Sequence, residues 1–443
     1  MRILSFILLS VLVPFYSYPQ GNVPIDSTEK TRYEKWIADI AYVENEFLPA
    51  AKTYTDESRD SCSVILSKLK QQIDALSDFQ IRLELARCVV LADNAHTTLP
   101  LPRTDKIPLR LYRFSDGIYV VRTDSLASPH LGAKVLEING VEVSHVERQL
   151  FPYLSGIPRW KKFKTIDLMT SPKTLYEAGI VTTKDALTFT LLKNQVRTQV
   201  SFKAQEVKND RAWFESWANL YPTPRDSTNR KFLLSHVESL PLYLQRTEEG
   251  VFYMFDDQEK IAYFHINSFW DQCSDFKEKI ASFTEALKSK RDYDVVIDLR
   301  FYTGGNYGLA VKLATDPPKI IDEDKKIYLI TGDKTYSAGI VTAARIKHFA
   351  KDRIIVVGEE VGDRLKFWAE SERFTLPHSG IRIYNSKKEH DWRDNKRRIF
   401  KTHIPNYFYG VGVKDLRVDH EIKLSFQDYM DNRDPILEWI KSQ

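Results

Sequence analysis

DLRFYTGGN (298–306), KIYLITGDKTYSAGIVTAARIKHF (326–349) and IIVVGEE (354–360) form the stretch whose reading decides the fold. Tyr293, Val295, Val296, Ile297 and Leu299 read as a buried strand running into a Gly-Gly turn at Gly304 and Gly305. A second apolar strand, Ile327 to Ile330, also breaks into a turn, which delivers Tyr336-Ser337-Ala338-Gly339 to an Ala- and Ile-rich helix over Ile340 to Phe349. A serine at a strand-to-helix junction has an exposed hydroxyl, free backbone N–H groups beside it and the positive end of a helix dipole behind it. Glycines on the neighbouring strand let the backbone approach closely, so that their N–H groups can bind an oxyanion. Taken singly, Ser337 reads as a helix N-cap and the glycines as loop punctuation. Both within one α/β unit favour a nucleophile.

DLR-x-x-x-GG, the TYSAG serine that opens a helix, VVGEE closing the next strand and the ending Val418 to Leu437 together resemble the tail-specific, or C-terminal-processing, serine peptidases. The resemblance extends more weakly back to about Asp93 and implies a ClpP/crotonase-like α/β catalytic domain. Family members with a Ser-Lys dyad place a lysine after the strand that ends in this Gly-Glu pair, where this chain reads Val361-Gly362-Asp363-Arg364. Arginine stays protonated and aspartate is a poor base beside a serine, and Lys366 lies out of register. The resemblance therefore implies the histidine branch of the superfamily. His96, in an Asp-Asn-Ala-His-Thr context, stands as the general base for Ser337. Imidazole titrates near neutrality, so it can take a serine proton and return it to a leaving amine. That branch orients its imidazole with a late glutamate, but Asn406 to Val413 carries no acid, which leaves Asp391, or Glu389 beside it, for the task. Ala338 N–H and the Gly304/Gly305 backbone are the implied oxyanion donors. Phe301-Tyr302 replaces the family's residues after DLR, so the geometry of that turn is open.

The rest of the chain frames this site. With 443 residues, 43% of them hydrophobic, two or three packed domains are expected. A net charge of +4 on 64 basic and 60 acidic residues is too balanced for a nucleic-acid partner. Arg2 followed by the apolar run Ile3 to Val13 reads as a cleaved signal peptide within 1–20, which implies a periplasmic or secreted protein without a stable membrane span. Residues 28–98 read as a helical N-terminal domain, with Trp36, Ile40, Val43 and Phe47 on one face, Ile65, Leu69, Ile73 and Leu76 on a second, and Asp56 to Ser61 separating the two runs. Residues 105–205 turn to β, and GAKVLEINGVEV (132–143) resembles a PDZ domain, from which the insert Pro152 to Gly179 departs. Residues 206–250 read as a linker and 251–443 as the catalytic domain. Cys62 and Cys88 are placed to pair across a helical hairpin in an oxidising compartment, or to remain buried thiols, with Cys273 left over. No phosphate loop or metal-ligand cluster is present, so no cofactor or metal is expected. The fold class is multidomain α+β. The resemblance implies an extracytoplasmic serine endopeptidase acting on protein or peptide substrates. The alternative is a catalytically inactive peptide- or ligand-binding relative of the same fold.

Overall fold

Thr31, Thr55 and Ser77 each close a capping box at the start of a helix, and these three starts set the N-terminal unit. In the computed structural model, which describes residues 30–207, 220, 230–234, 240–246, 249–266, 275–393 and 410–443, the helices are α1 (Arg32–Tyr42), α2 (Asp56–Gln72) and α3 (Asp78–Val90). The signal segment, Cys273, most of the linker and Asn406 to Tyr409 lie outside the described residues. Trp36, Ile40, Val43 and Phe47 are all buried in one cluster. In α2 the buried face is Cys62, Leu66, Leu69 and Ile73, whereas Ile65 and Leu76 only flank it. Asp56 to Ser61 do not separate two helices. They form the first turns of α2, because Thr55 caps the backbone of Ser58 and because Asp56 and Glu57 suit the positive end of the helix dipole. Cys62 and Cys88 are joined by a disulfide that staples α2 to α3, with their Cα atoms 4.7 Å apart.

The following β unit is antiparallel: β1 (Leu109–Phe114), β2 (Gly117–Asp124), β3 (Lys134–Ile138), β4 (Ala186–Lys193) and β5 (Val196–Lys203) lie in that order. The Asn139-Gly140 turn follows β3 with both residues at positive φ, as such turns require. The insert between β3 and β4 is helical, and one of its helices, α4 (Pro158–Leu168), buries Ile166 and Leu168 in the β unit's core while Trp160 packs against the Ser337 turn.

The third unit is a six-stranded sheet. β6 (Val251–Asp256) pairs antiparallel with β7 (Ile261–Ile266) at one edge, and β8 (Asp294–Asp298), β9 (Ile327–Thr331), β10 (Ile354–Gly358) and a short strand at His420–Glu421 continue it in parallel. α5 (Phe276–Leu287) connects β7 to β8, and it buries Phe276, Ile280, Phe283 and Leu287 on one face. Every residue of β7 and β9 is buried, as expected of strands covered on both faces. α6 (Ala338–Ala350) follows β9 and is buried along nearly its whole length. Beyond β10 a long hairpin, β11 (Lys366–Thr375) with β12 (Arg382–Asp391), leaves the sheet. Its far end puts Leu376, Ile381 and Ile383 into the helical core, and Thr98 bridges to Tyr384. That hairpin ties the segment carrying His96 to the unit carrying Ser337.

Candidate active site

β9 ends at Thr331, and Thr335 organises the turn that follows. Its hydroxyl donates to Leu299 O at 2.8 Å and accepts from Gly332 N–H at 3.0 Å. Tyr336 N–H then donates to Tyr302 O at 3.1 Å, which binds the turn to the DLR loop on the adjacent strand. Gly339 passes so close to Tyr302 that a Cβ there would lie 2.3 Å from the Tyr302 carbonyl oxygen, so the position after Ala338 accepts no side chain. Held in this way, Ser337 takes φ 54° and ψ −115°, a conformation that costs on the order of 1–3 kcal/mol and clusters at functional sites.

Ser337 Oγ does not cap α6. It meets Nε2 of His96 at 2.8 Å, across 241 residues of sequence. Gly304, at φ 138°, lies against the serine, where an added Cβ would stand 3.1 Å from Ser337 Cβ. Ala338 is buried at the first position of α6, so its N–H belongs to the unsatisfied helix start. Ser337, His96, Ala338 and Gly304 are thus brought together, with Gly305 next in the chain at φ 129°.

Asp391 is not brought to His96. It ends β12, and its carboxylate is taken by Arg393, whose Nε and Nη2 donate to it at 2.9 and 2.7 Å. Glu389 faces Lys366 at 3.5 Å, so the alternative acid is also engaged elsewhere. Nδ1 of His96 is buried and has no hydrogen bond among the described residues. Among the described residues, the carboxylate whose charge works against the lowering of the His96 pKa, as the smallest of three influences, is Glu370, which sequence reasoning passed over. The β11–β12 ladder lapses at Glu370, which takes φ 54° and stands 3.4 Å from His390 Nε2. Nothing in a sequence marks such a lapse in an otherwise regular hairpin. Burial of the imidazole among Tyr336, Phe367 and Ala95, together with the proximity of His390, pushes the His96 pKa down to about 3, against an opposing pull from Glu370. His96 is therefore neutral at physiological pH.

The DLR sequence has a structural role. Arg300 is buried between two aspartates: its Nε donates to Asp298 at 3.0 Å, while Nη1 and Nη2 donate to Asp434 at 3.1 and 2.9 Å. Tyr263 donates to Asp298 at 2.6 Å. Burial alone would raise the Asp298 pKa, but Arg300 and His265 beside it hold the carboxyl well below its usual range. Asp434 also accepts from Ile436 N–H at 3.2 Å, so one carboxylate caps the last helix and clamps the loop that carries Gly304. Asp363, where the dyad lysine would stand, is buried, and burial raises its pKa to about 6. Among the described residues no cluster of His, Cys, Asp or Glu is arranged to hold a metal ion, and no helix is long and apolar enough to cross a membrane.

No protein-family model and no curated protein matches the sequence. Solved structures do match. The chain is similar to mature CPAF complexed with lactacystin at 13% identity and a TM-score of 0.57, covering 90% of this chain and 96% of that one. It is similar to mature CPAF alone at 12% identity and the same TM-score of 0.57, covering 90% and 94%. A photosystem II D1 C-terminal processing protease aligns over 89% of this chain at 12% identity, with a TM-score of 0.37. The likeness to mature CPAF is one of fold.

Proposed function

We propose that this protein, which shares the fold of mature CPAF, is a serine peptidase of the tail-specific type that hydrolyses protein or peptide substrates. The observation that carries the reading is the 2.8 Å contact between His96 Nε2 and Ser337 Oγ. A serine that served only as an N-cap would turn its hydroxyl to the helix, and Ser337 does not. In this reading Ser337 Oγ attacks the peptide carbonyl as His96 Nε2 takes the hydroxyl proton. The carbonyl oxygen, now an anion, lies against Ala338 N–H and the Gly304/Gly305 backbone. The C–N bond breaks as His96 returns the proton to the amine. Water then enters through the same base and releases the acyl group, which regenerates the serine. No cofactor takes part.

The β unit with its Asn-Gly turn fits a PDZ-like module, and the parallel sheet fits a crotonase-like catalytic domain. The Cys62–Cys88 disulfide supports an extracytoplasmic, periplasmic or secreted, location, because such bonds persist in oxidising compartments.

The test is labelling by a fluorophosphonate probe of wild type, Ser337→Ala and His96→Ala. Labelling of wild type that is lost in both variants is the expected result. A folded wild type that takes no label would overturn the reading in favour of a silent binding protein.

A further inference from the structure

Five rings stand in one column through the candidate site. Trp160 stacks on Tyr336 at 3.9 Å between centroids and 13° between planes, and Tyr336 stacks on His96 at 4.6 Å and 20°. His96 stacks on Phe367 at 5.3 Å and 15°, and Phe367 on His390 at 5.0 Å and 8°. The rings come from four separate segments: the insert helix α4, the Ser337 turn, the exit from α3, and both strands of the β11–β12 hairpin. The flanking rings lie within 15–20° of the imidazole plane, and that plane decides whether Nε2 points at Ser337 Oγ.

We propose that Trp160 is a positioning residue of the Ser337–His96 site: through Tyr336 it sets the plane of the base, so the helical insert of the β unit completes the catalytic geometry. This deepens the peptidase reading and rests on it. Three observations carry it. Among the described residues no hydrogen bond on Nδ1 fixes the rotation of the imidazole, and the ring contacts and the contact with Ser337 orient it. Trp160 is seated without slack, for a Cβ at Gly156 would lie 2.9 Å from its Cδ1 and 2.8 Å from Ala95 Cβ. And α4 is fastened to the catalytic sheet, since Arg159 donates to Glu360 at 2.8 Å and to Val361 O at 3.1 Å, just beyond β10. Flat rings stack in preferred offset geometries, so an unbroken column resists tilting of any member. A small tilt of a base costs far more in rate than in stability, because attack geometry is narrow.

The titratable groups facing the column are Glu370 and His390 from the hairpin, Asp363 beside Tyr336, and Lys164, whose Nζ stands 5.2 Å from the Trp160 ring centroid. Burial within the column holds the His96 pKa near 3. Opening the column at Trp160 should hydrate the ring and let its titration climb toward the ordinary value of about 6.5.

The experiment uses the full chain with 13Cε1-labelled histidine and compares wild type, Trp160→Leu and Trp160→Phe, with His96→Gln to assign the signal. Leucine keeps apolar bulk without a ring; phenylalanine restores the ring. We expect Trp160→Leu to raise the His96 titration midpoint by at least one pH unit and to lower kcat about tenfold, with KM within twofold. Trp160→Phe should recover most of both. Phe367→Leu, on the other side of the imidazole, is the second variant should Trp160→Leu fail to fold, with the same expectation. A folded leucine variant with unchanged titration and kcat would overturn the proposal. So would leucine and phenylalanine behaving alike, which would mean that bulk alone matters. Because the titration needs no turnover, a wild type with no peptidase activity and no probe labelling would defeat the functional reading separately. In that case the titrations would still decide whether the column orients His96.

Discussion

Ser337 and Gly304 face each other closely enough that one methyl group decides the site. At φ 138° any L side chain at position 304 is strained, and its Cβ would press on Ser337 at 3.1 Å. Gly304→Ala should therefore lower kcat about 10²–10³-fold, comparable to the loss of one oxyanion donor, while KM changes little and Tm falls by a few degrees. Steady-state kinetics on a peptide substrate checks it, and a loss confined to KM would remove Gly304 from the oxyanion role. His96 sets the pH dependence. Its pKa in the folded protein is depressed to about 3, so the neutral, basic form persists well below the range of an ordinary histidine. The acid limb of kcat/KM should accordingly lie below pH 5, with activity near its plateau where a free imidazole would be mostly protonated. A half-maximum close to pH 6.5 would show that the ring is solvated in the working enzyme. Of these residues, Ser337, Ala338, Gly304 and His96 were legible in the sequence, because strand-turn-helix chemistry is local and a histidine leaving a helix is conspicuous once a serine needs a base. Glu370 was not, since its conformation depends on a lapse in hairpin pairing that leaves no mark on composition or period. Trp160 was hidden in the same way, in an insert that read only as a departure from a compact β unit.

Among the elements, the helices show what periodicity conveys and where it stops. Hydrophobic spacing located α1 and α2 and placed Leu69 and Ile73 in the core, yet Cys62 and Leu66, not Ile65 and Leu76, complete the buried face. The β11–β12 hairpin was invisible as a unit. One end puts Phe367 and Ala369 into the core around the parallel sheet, the other puts Leu376, Ile381 and Ile383 into the helical core, and β11 between them is largely exposed, so no single pattern runs along it. The DLR motif was legible, but the clamp it makes behind the glycine turn was not. Arg300 bridges Asp298 and Asp434, which joins the end of β8 to the cap of the last helix. Removing one member leaves a buried guanidinium partly unpaired, which costs about 3–5 kcal/mol. Asp434→Ala also loses a helix cap, so its Tm should fall on the order of 10 °C by calorimetry. A Tm within two or three degrees of wild type, about the shift one kcal/mol gives a large domain, would mean that the triad contributes little net stability.

At the scale of the whole molecule, His96 and Ser337, the proposed base and nucleophile, belong to different units and meet because those units are fastened together. α3 carries Cys88 and ends at Val90, and six residues later the chain reaches His96. The disulfide to Cys62 is fully buried and closes a separation of 26 residues, which constrains the unfolded chain by about 3 kcal/mol. The stabilisation acts on the unit that delivers the base, not on the sheet that holds the serine. The Cys62→Ala/Cys88→Ala variant should therefore melt several degrees lower while retaining the Ser337–His96 contact at room temperature. On warming, its fluorophosphonate labelling should fade before the far-ultraviolet signal of the parallel sheet does, because the helical unit loosens first. Following labelling and circular dichroism together across a temperature series checks this. If the two were lost together at the wild-type temperature, the disulfide would carry no such load, and the hairpin with its buried Leu376, Ile381 and Ile383 would alone hold His96 to the serine.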